Sequence, residues 1–336
     1  MAKVTILGAG GWGLALALAA RRSGNDVAVW SPFGNEIDEL CANRESKRLL
    51  PGVKIPAEIL ATTDLSVVEG SDVTIIATPS LAVRETAARL KAFQNFGIVV
   101  SVAKGIEYDT LLRLSQVIES ELVGIDVVVL SGPSHAEEVA RGIETSLVSS
   151  SKSREACETV QRVFSDVKLR VYTNDDTAGA ELGGALKNVI AIASGFCDGM
   201  GLGDNTRAAL ITRGLTEIAR LGVYMGAKEN TFAGLTGVGD LIVTCMSEHS
   251  RNRRFGRLVG SGVSVRDALK QVGTVEGYYA AKTAHKLCAV YGVNMPIIEQ
   301  CYAVMYEDAD VTKALNVLMT RPQCAETDAS WIKEKK

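Results

Sequence analysis

One lysine stands in an apolar segment of the second half of the chain, where a charged amine is costly to bury. The segment GGALKNVIAIASG runs from Gly183 to Gly195, and besides Lys187 its polar residues are only Asn188 and Ser194. No carboxylate lies within four residues of Lys187 on either side. Such a lysine either extends its amine to water or belongs to a buried polar site with a distant partner. A desolvated lysine of the second kind suits general acid–base chemistry.

The segment FAGLTGVGDLIVTC supplies a candidate partner for that lysine. Asp240 lies there between a glycine-rich turn and an apolar run, where a carboxylate is costly unless it is paired. We therefore predict an ion pair between Lys187 and Asp240, in which burial lowers the pKa of the lysine and the carboxylate raises it again. The alternative is that Asp240 only caps a helix.

A glycine-rich loop near the N-terminus predicts a dinucleotide site. The motif G-x-G-x-x-G is present as Gly8-Ala9-Gly10-Gly11-Trp12-Gly13. The string alone is weak because glycines often mark only a turn, but here a strand-like run precedes it and the helical WGLALALAARRSG follows. In that context the bare backbone lets a pyrophosphate approach a helix N-terminus.

The sequence leaves the identity of the dinucleotide open between NAD and NADP. An acid at the end of the second strand would bind the ribose diol of NAD, and an arginine would accept the 2′-phosphate of NADP. This chain has Ser31-Pro32-Phe33 there, and Glu36 lies further along.

Polar residues also follow three later strand-like runs: Pro79-Ser80, Lys104-Gly105 and Ser131-Gly132-Pro133-Ser134. Ligands of open α/β sheets bind beyond the carboxyl ends of the strands, so Lys104 is expected to face that crevice. The Ser-Gly-Pro-Ser loop opens a helix, and its amides suit an anion or a carbonyl oxygen. A surface lysine and a simple helix cap are the alternatives. His135 follows without a catalytic or metal pattern, which favours packing over acid–base chemistry.

The segment SEHSRNRRFGR is a candidate phosphate site. Ser250, Arg251 and Asn252 begin it, and the arginine fork suits phosphate oxygens. The alternative is a solvated basic helix start, especially for Arg253 and Arg254. Glu276, in TVEGYYAA, lies near a turn where it could bond a cofactor hydroxyl or amide.

The elements that must position these residues alternate in the first half of the chain. Strands are predicted at Lys3–Leu7, Asp26–Trp30, Asp72–Ala77, Gly97–Val102, Asp126–Leu130, Thr145–Ser149 and Lys168–Thr173. Helices are predicted between most of them, including Trp12–Ser23, Leu81–Phe93 and Leu111–Leu122. This alternation predicts an α/β fold with a parallel, doubly wound Rossmann sheet over residues 1–178. Helical periodicity dominates afterwards, so residues 179–336 are predicted to form an all-α substrate-binding domain.

Composition excludes several classes of protein. The 336 residues are 47% hydrophobic and 22% charged, so the chain is long and apolar enough to form two domains, each with its own hydrophobic core. The formal net charge is −3. We expect no nucleic-acid partner and no anionic-membrane partner, because no basic excess exists. Seven scattered cysteines indicate reduced thiols in a cytoplasmic protein, and no metal-binding spacing. We also expect no signal peptide and no membrane span.

Taken together, these segments resemble the bacterial type of NAD(P)-dependent glycerol-3-phosphate dehydrogenases. The resemblance spans nearly the whole chain, and the order and spacing of its motifs make it specific. The matching segments are Gly8–Gly13 with Trp12, VAKGIE, LSGPSHAEEVA, ELGGALKNVIAIASGFCDGMGLGDNTRAALITRGLTE, GLTGVGDLIVTC, SRNRRFG and VEG.

The resemblance implies roles by position. Lys187 matches the catalytic proton-transfer lysine. The implied substrate contacts are Lys104, Gly132, Ser134, Lys187, Asp240, Ser250, Arg251 and Asn252. The implied cofactor contacts are Gly11, Trp12, Lys104, Ala136, Arg251, Val275 and Glu276, beside the loop glycines Gly8, Gly10 and Gly13.

The implied reaction is the reversible reduction of dihydroxyacetone phosphate to sn-glycerol 3-phosphate, which supplies the backbone for phospholipid synthesis. A homodimer is also implied. The chain departs from the family pattern at two places. Many bacterial members carry a basic residue where this chain has Ser31-Pro32-Phe33, and many have Phe where it has His135.

Two rival functions remain at this point. A β-hydroxyacid-type or ketopantoate-type dehydrogenase would share the glycine loop and the lysine, but its phosphate-free substrate has less need of Ser250–Asn252. A nucleotide-sensing regulator without catalysis would have no need of Lys187 and Asp240 as a proton-transfer pair.

Overall fold

The computed structural model describes residues 1–323 and residue 326. Its N-terminal part is one eight-stranded sheet in the order β3-β2-β1-β4-β5-β6-β7-β8. The strands are β1 Lys3–Leu7, β2 Asp26–Trp30, β3 Leu60–Thr62, β4 Val73–Ile76, β5 Ile98–Ser101, β6 Val128–Ser131, β7 Thr145–Ser150 and β8 Leu169–Asn174. The seven predicted strands are present, and the short β3 at the sheet edge is an addition.

Six helices and two short 3₁₀ turns connect the strands. The helices are α1 Gly11–Arg22, α2 Gly34–Asn43, α3 Val83–Leu90, α4 Leu114–Glu121, α5 Ala136–Ala140 and α6 Arg154–Phe164, and the 3₁₀ turns are Leu65–Val68 and Ser80–Ala82. Two apolar clusters cover the two faces of the sheet, one under α1 and α6 and the other under α3 and α4. Helices on both faces make this the doubly wound fold that the alternating pattern predicts.

The sheet is parallel, as predicted, except at one strand. β7 runs antiparallel to β6, whereas every other neighbouring pair is parallel. The only helix between these two strands is α5, whose five residues extend about 7 Å. A parallel crossover needs an element that returns along the sheet, and α5 is too short to do so.

The C-terminal part is helical, as predicted. Its helices are α7 Thr177–Gly199, α8 Asp204–Tyr224, α9 Glu229–Phe232, α10 Asp240–Met246, α11 Arg251–Gly260, α12 Val265–Val272, α13 Glu276–Tyr291, α14 Pro296–Tyr306 and α15 Val311–Met319, with a π-helical turn at Leu235–Gly239 before α10. β8 ends at Asn174 and α7 begins at Thr177, close to the boundary expected near residue 178. Residues 324, 325 and 327–336 of the expected second domain lie outside the described residues.

Helix α7 is the axis of the C-terminal part and is buried along nearly its whole length. It packs against α11 at backbone distance, since a Cβ on Gly195 would lie 2.2 Å from the carbonyl oxygen of Arg253. A Cβ on Gly256 would likewise lie 2.1 Å from the carbonyl oxygen of Ile192. Only glycine permits this approach, which brings the polar residues of the two helices together.

Buried carboxylates hold α7 against its surroundings. Glu181 forms an ion pair with Arg113 of the first half and accepts a hydrogen bond from the backbone amide of Ser115 at 2.7 Å. Asp176 caps α7 by accepting from the amide of Gly179 at 2.9 Å, and it also accepts from the amide of Lys228 at 2.8 Å. The orientation of α7 relative to the sheet is therefore fixed by charged hydrogen bonds at its N-terminal end.

The remaining expectations concern cysteines, membranes and metals. The six described cysteines are free thiols, five of them buried, and Cys324 lies outside the described residues. Among residues 1–323 and 326, no helix combines the length and the apolar character needed to cross a bilayer. The same residues contain no group of three or more His, Cys, Asp or Glu that could hold a metal ion.

Candidate active site

The predicted ion pair between Lys187 and Asp240 is present and is shared with a second lysine. The Lys187 Nζ donates to Asp240 Oδ1, and the Lys104 Nζ donates to Asp240 Oδ2 at 2.6 Å. Asp240 is 1% exposed and Lys187 is 5% exposed, whereas the side chain of Lys104 is 21% exposed. Asp240 is thus a buried bridge between two amines, and the reading of it as only a helix cap is wrong.

The environment of Lys187 brings its pKa to about 7. Burial is the largest cause and lowers the pKa, Asp240 raises it, and the positive charge of Lys104 lowers it. These opposed effects are the ones predicted from sequence. An amine with such a pKa can give up and take back a proton near neutral pH.

Thr244 is a second hydrogen-bond partner of Lys187, and the sequence reasoning missed it. Its Oγ1 accepts from Lys187 Nζ at 2.6 Å and donates to the carbonyl oxygen of Asp240 at 2.7 Å. The available signal was the spacing, since residues four apart lie on the same face of a helix. With its single hydrogen used in α10, the hydroxyl can only accept from the lysine, which fixes the amine's direction.

The loop after β6 closes one side of this cluster. Lys104 Nζ also donates to the carbonyl oxygen of Gly132 at 3.2 Å, and Ser134 Oγ donates to the same oxygen at 3.0 Å. Gly132 has a φ of +138°, which a residue with a side chain rarely adopts. The expected approach of Lys104 to the ligand edge of the sheet is therefore present, together with the loop.

His135 is half-buried and lies near Lys187. Burial is the main cause that lowers its pKa, and the charge of Lys187 lowers it further. Its Nε2 atom is buried and has no hydrogen-bond partner among the described residues. The ring packs 5.8 Å from that of His249, which agrees with a packing role.

Asn188 has a defined hydrogen-bond partner, which the sequence alone did not identify. Its Oδ1 accepts from Asn252 Nδ2 at 2.9 Å, and Asn252 Oδ1 accepts from the amide of Gly277 at 2.9 Å. This chain of bonds links α7, α11 and α13 at their point of contact. Asn188 thereby orients the first turn of α11.

That first turn contains the predicted phosphate residues. Ser250 is the N-cap of α11, with its Oγ accepting from the amide of Arg253 at 3.2 Å. The amides of Arg251 and Asn252 precede that bond, so they belong to the unpaired donors with which a helix N-terminus binds anions. Arg251 is exposed, so its guanidinium can reach a bound phosphate.

Arg253 does not fit the alternative in which this segment is a solvated, basic start of a helix. Its side chain is 12% exposed and its Nε donates to Asp198 Oδ2 at 2.6 Å. Glu248 accepts a second bond from it at 2.6 Å. Arg253 is therefore a structural ion-pair residue, whereas Arg254 is exposed as expected.

The glycine loop fits a dinucleotide. A Cβ on Gly13 would lie 2.0 Å from the carbonyl oxygen of Gly8, so the turn closes only with glycine, whereas a Cβ on Gly10 would meet nothing within 4 Å. Gly10 is also the N-cap of α1 and offers no side-chain cap to the helix amides. The loop therefore has free space at Gly10, and the first turn of α1 that follows it has free backbone donors for a pyrophosphate.

Residues from other elements line the same crevice. A Cβ on Gly11 would lie 3.8 Å from the Cβ of Ala136, which places the start of α5 next to the loop. Glu276 begins α13 and accepts from Ser80 Oγ at 3.1 Å, so it reaches the 3₁₀ turn that follows β4. Burial raises the pKa of Glu276, while Arg251 opposes that shift. Val275, the N-cap of α13, is buried beside it.

A Rossmann sheet with a dinucleotide-type glycine loop, together with a buried lysine whose pKa is about 7, defines an NAD(P)-dependent dehydrogenase. Comparison with known families makes the assignment specific. Residues 3–157 match the model of the NAD-dependent glycerol-3-phosphate dehydrogenase N-terminus, and residues 176–316 match that of its C-terminus. The chain belongs to this family.

Individual relatives match nearly the whole length of the chain. The glycerol-3-phosphate dehydrogenase [NAD(P)+] of Fusobacterium nucleatum is 47% identical over 98% of this chain and all of its own length. The enzyme of the same name from a Thermoanaerobacter species is 50% identical, covering 95% of this chain and 97% of the relative. The crystal structure of glycerol-3-phosphate dehydrogenase from Coxiella burnetii superposes with a TM-score of 0.91 at 38% identity, covering 95% of this chain and 99% of that one.

Proposed function

We propose that this chain catalyses the reversible NAD(P)H-dependent reduction of dihydroxyacetone phosphate to sn-glycerol 3-phosphate, which supplies the backbone for phospholipid synthesis. The observation that carries the proposal is Lys187, buried between Asp240 and Thr244 with a pKa of about 7. It lies where the helical part meets the ligand edge of the sheet. Family membership supports the substrate and the cofactor class.

Lys187 is the proton-transfer residue of the proposed reaction. A nicotinamide cofactor held at the glycine loop would supply the hydride to the substrate carbon in reduction and accept it from that carbon in oxidation. In reduction, the Lys187 ammonium gives a proton to the oxygen that gains negative charge at that carbon. In oxidation, its neutral amine takes the proton of the substrate hydroxyl.

The neighbouring charges make that proton transfer reversible. Asp240 keeps a proton on Lys187 that burial alone would remove, and it holds the amine of Lys104 beside the same oxygen position. The second amine places positive charge where the substrate oxygen becomes negative, which stabilises the transition state. Reduction therefore needs the protonated lysine and declines as the pH rises above about 7, whereas oxidation declines as the pH falls below it.

The N-terminus of α11 binds the phosphate in this proposal. The amides of Arg251 and Asn252 and the Arg251 guanidinium supply donors, and the helix dipole favours an anion there. Asn188 and Gly277 hold the side-chain amide of Asn252 in one orientation, which fixes the first turn of α11. Fixing the phosphate fixes the distance of the ketone from Lys187, which is a large part of catalysis by positioning.

Lys187→Met tests the assignment directly. The variant removes the amine and keeps an unbranched side chain, and Asp240 retains Lys104 as its partner. Turnover in both directions should fall by about 10²–10⁴-fold, the usual contribution of a positioned acid–base group. Spectrophotometric NADH or NADPH oxidation with dihydroxyacetone phosphate gives the rate, and quenching of protein fluorescence gives cofactor affinity, which should stay unchanged.

The matched control is Lys168→Met, which removes an exposed lysine paired with Glu144 and should leave turnover unchanged. Near-normal turnover of Lys187→Met would remove the lysine from the mechanism.

We also infer a homodimer in the cytoplasm, with the domain boundary near residue 178. The family resemblance supports the dimer, and the free buried thiols agree with a reducing compartment. Sedimentation velocity tests the dimer, with a monomer mass as the contrary result. Limited proteolysis tests the boundary. If the boundary is correct, the first cleavage should fall between β8 and α7.

A further inference from the structure

The carboxylate of Glu36 lies closer to the glycine loop than its distance along the sequence implies. β1 and β2 are parallel neighbours with Leu7 opposite Trp30, and the amide of Gly8 donates to the carbonyl oxygen of Trp30 at 2.8 Å. The residue after β2 is therefore one strand spacing, about 4.8 Å, from the first loop glycine. That residue is Ser31, which is 1% exposed.

Ser31 holds the side chain of Glu36 at the end of β2. Its Oγ donates to Glu36 Oε2 at 2.6 Å and accepts from the amide of Phe33 at 3.3 Å. Glu36 is in the first turn of α2 and is half-buried, so its backbone lies five residues on while its carboxylate returns to the strand. This is the position from which an acid binds the adenosine ribose in Rossmann folds.

The surroundings of this carboxylate disfavour a 2′-phosphate. The segment from residue 31 to residue 39, SPFGNEIDE, contains three acids and no basic residue. Phe33 is 60% exposed, and Pro32 has no amide hydrogen. A phosphate with nearly two negative charges would meet the carboxylate of Glu36 and no cation from this segment.

The basic residues of the following segment are partly committed elsewhere. The guanidinium of Arg44 donates to the carbonyl oxygens of Pro56 and Ile59. Arg48 is exposed and precedes Leu49, whose carbonyl oxygen lies 2.8 Å from where a Cβ on Gly11 would be. Arg48 is thus a cation near the glycine loop that favours a 2′-phosphate and so opposes the effect of Glu36.

We propose that Glu36, positioned by Ser31, selects NADH over NADPH by accepting hydrogen bonds from the ribose diol and repelling a 2′-phosphate. The proposal deepens the proposed function, but it depends only on dinucleotide binding. Glu36 is the cofactor-selecting residue and Ser31 a positioning residue. The bulk of the selectivity comes from repulsion, so loss of the charge should matter more than loss of the hydrogen bonds.

The test measures dissociation constants of NADH and NADPH for the full chain by the change in cofactor fluorescence, with no substrate present. The unmodified protein should bind NADH at least about tenfold more tightly, which corresponds to about 1.4 kcal/mol. Glu36→Gln should reduce that ratio about tenfold, mainly by tighter NADPH binding. Ser31→Ala should shift it the same way by a smaller factor, because the carboxylate remains but is no longer held.

Two controls make the result decisive. Asp38→Asn removes an exposed carboxylate from the same helix and should leave the ratio unchanged. Equal or tighter NADPH binding by the unmodified protein would overturn the proposal. So would a ratio that responds to Arg48→Ala and not to Glu36→Gln. Because no turnover is involved, failure of dihydroxyacetone phosphate reduction leaves this measurement interpretable and is a separate result.

Discussion

Asp240→Asn is the substitution that most directly tests the electrostatics of the site. It keeps the size of the side chain and removes the negative charge that both lysines share. Lys187 then retains the burial and the Lys104 repulsion that lower its pKa, and loses the charge that raises it. The pKa of Lys187 should therefore fall.

The size of the fall follows from the contact between the charges. An opposite charge at hydrogen-bond distance shifts a pKa by about 1–3 units, so the pKa of about 7 should drop to about 5. At pH 7.5 the protonated fraction of Lys187 then falls from about a quarter to below about 1%. A more acidic lysine is also a better donor, which offsets part of this loss. Reduction at pH 7.5 should slow by about 10–100-fold.

The assay is the pH profile of kcat for reduction, between about pH 5 and pH 9, with saturating cofactor and dihydroxyacetone phosphate. The midpoint of the decline on the alkaline side should move down by about two units. Asp198→Asn is the matched control, since Asp198 is also on α7 and accepts from Arg253 at 2.6 Å, outside the proton-transfer cluster. Its midpoint should not move. A midpoint that stays or rises in Asp240→Asn would refute the electrostatic reasoning.

Two further predictions concern the phosphate site and a buried carboxyl. Arg251→Ala should raise the KM for dihydroxyacetone phosphate at least about tenfold more than that for unphosphorylated dihydroxyacetone, and equal effects would argue against a phosphate contact. Burial raises the pKa of Glu217 from 4.5 to about 7, so between these values the folded state holds a proton that the unfolded chain lacks, and stability falls as the pH rises. Glu217→Gln should remove this loss, so between pH 4.5 and pH 8 the variant should lose up to about 3 kcal/mol less unfolding free energy than the unmodified protein. Urea denaturation at both pH values measures the difference, and parallel stability curves for the two proteins would contradict the prediction.

The sequence predicted correctly those features that one large energetic term decides, such as the cost of burying an unpaired charge. A lysine and an aspartate that each lie among apolar residues must be paired, so the bond between Lys187 and Asp240 was predictable across 53 positions. The strands were predictable because β-branched runs between helices have few alternatives. The third member of the cluster was not, since Lys104 ends a strand whose approach to Asp240 depends on how α7 docks on the sheet.

The misses have the same physical origin. Arg253 looks like a solvated residue in its own segment, and only the close packing of α11 on α7 brings it to Asp198. Glu36 looks distant from the cofactor because distance was judged along the chain, whereas the turn between β2 and α2 folds it back onto Ser31. Both depend on how elements pack, which local patterns do not specify.

The polar residues of α7 explain why domain docking and catalysis are connected in this molecule. Glu181, Gly184 and Lys187 follow one another at three-residue spacing, so they lie along one face of the helix. Glu181 binds Arg113, and a Cβ on Gly184 would lie 3.1 Å from Ser131 Oγ at the end of β6. The stripe that attaches the helix to the sheet therefore also delivers the amine of Lys187 to the ligand edge. A displacement of α7 would change the distance from the lysine to the nicotinamide crevice directly, so the buried charges of this face hold the reacting geometry as well as the fold.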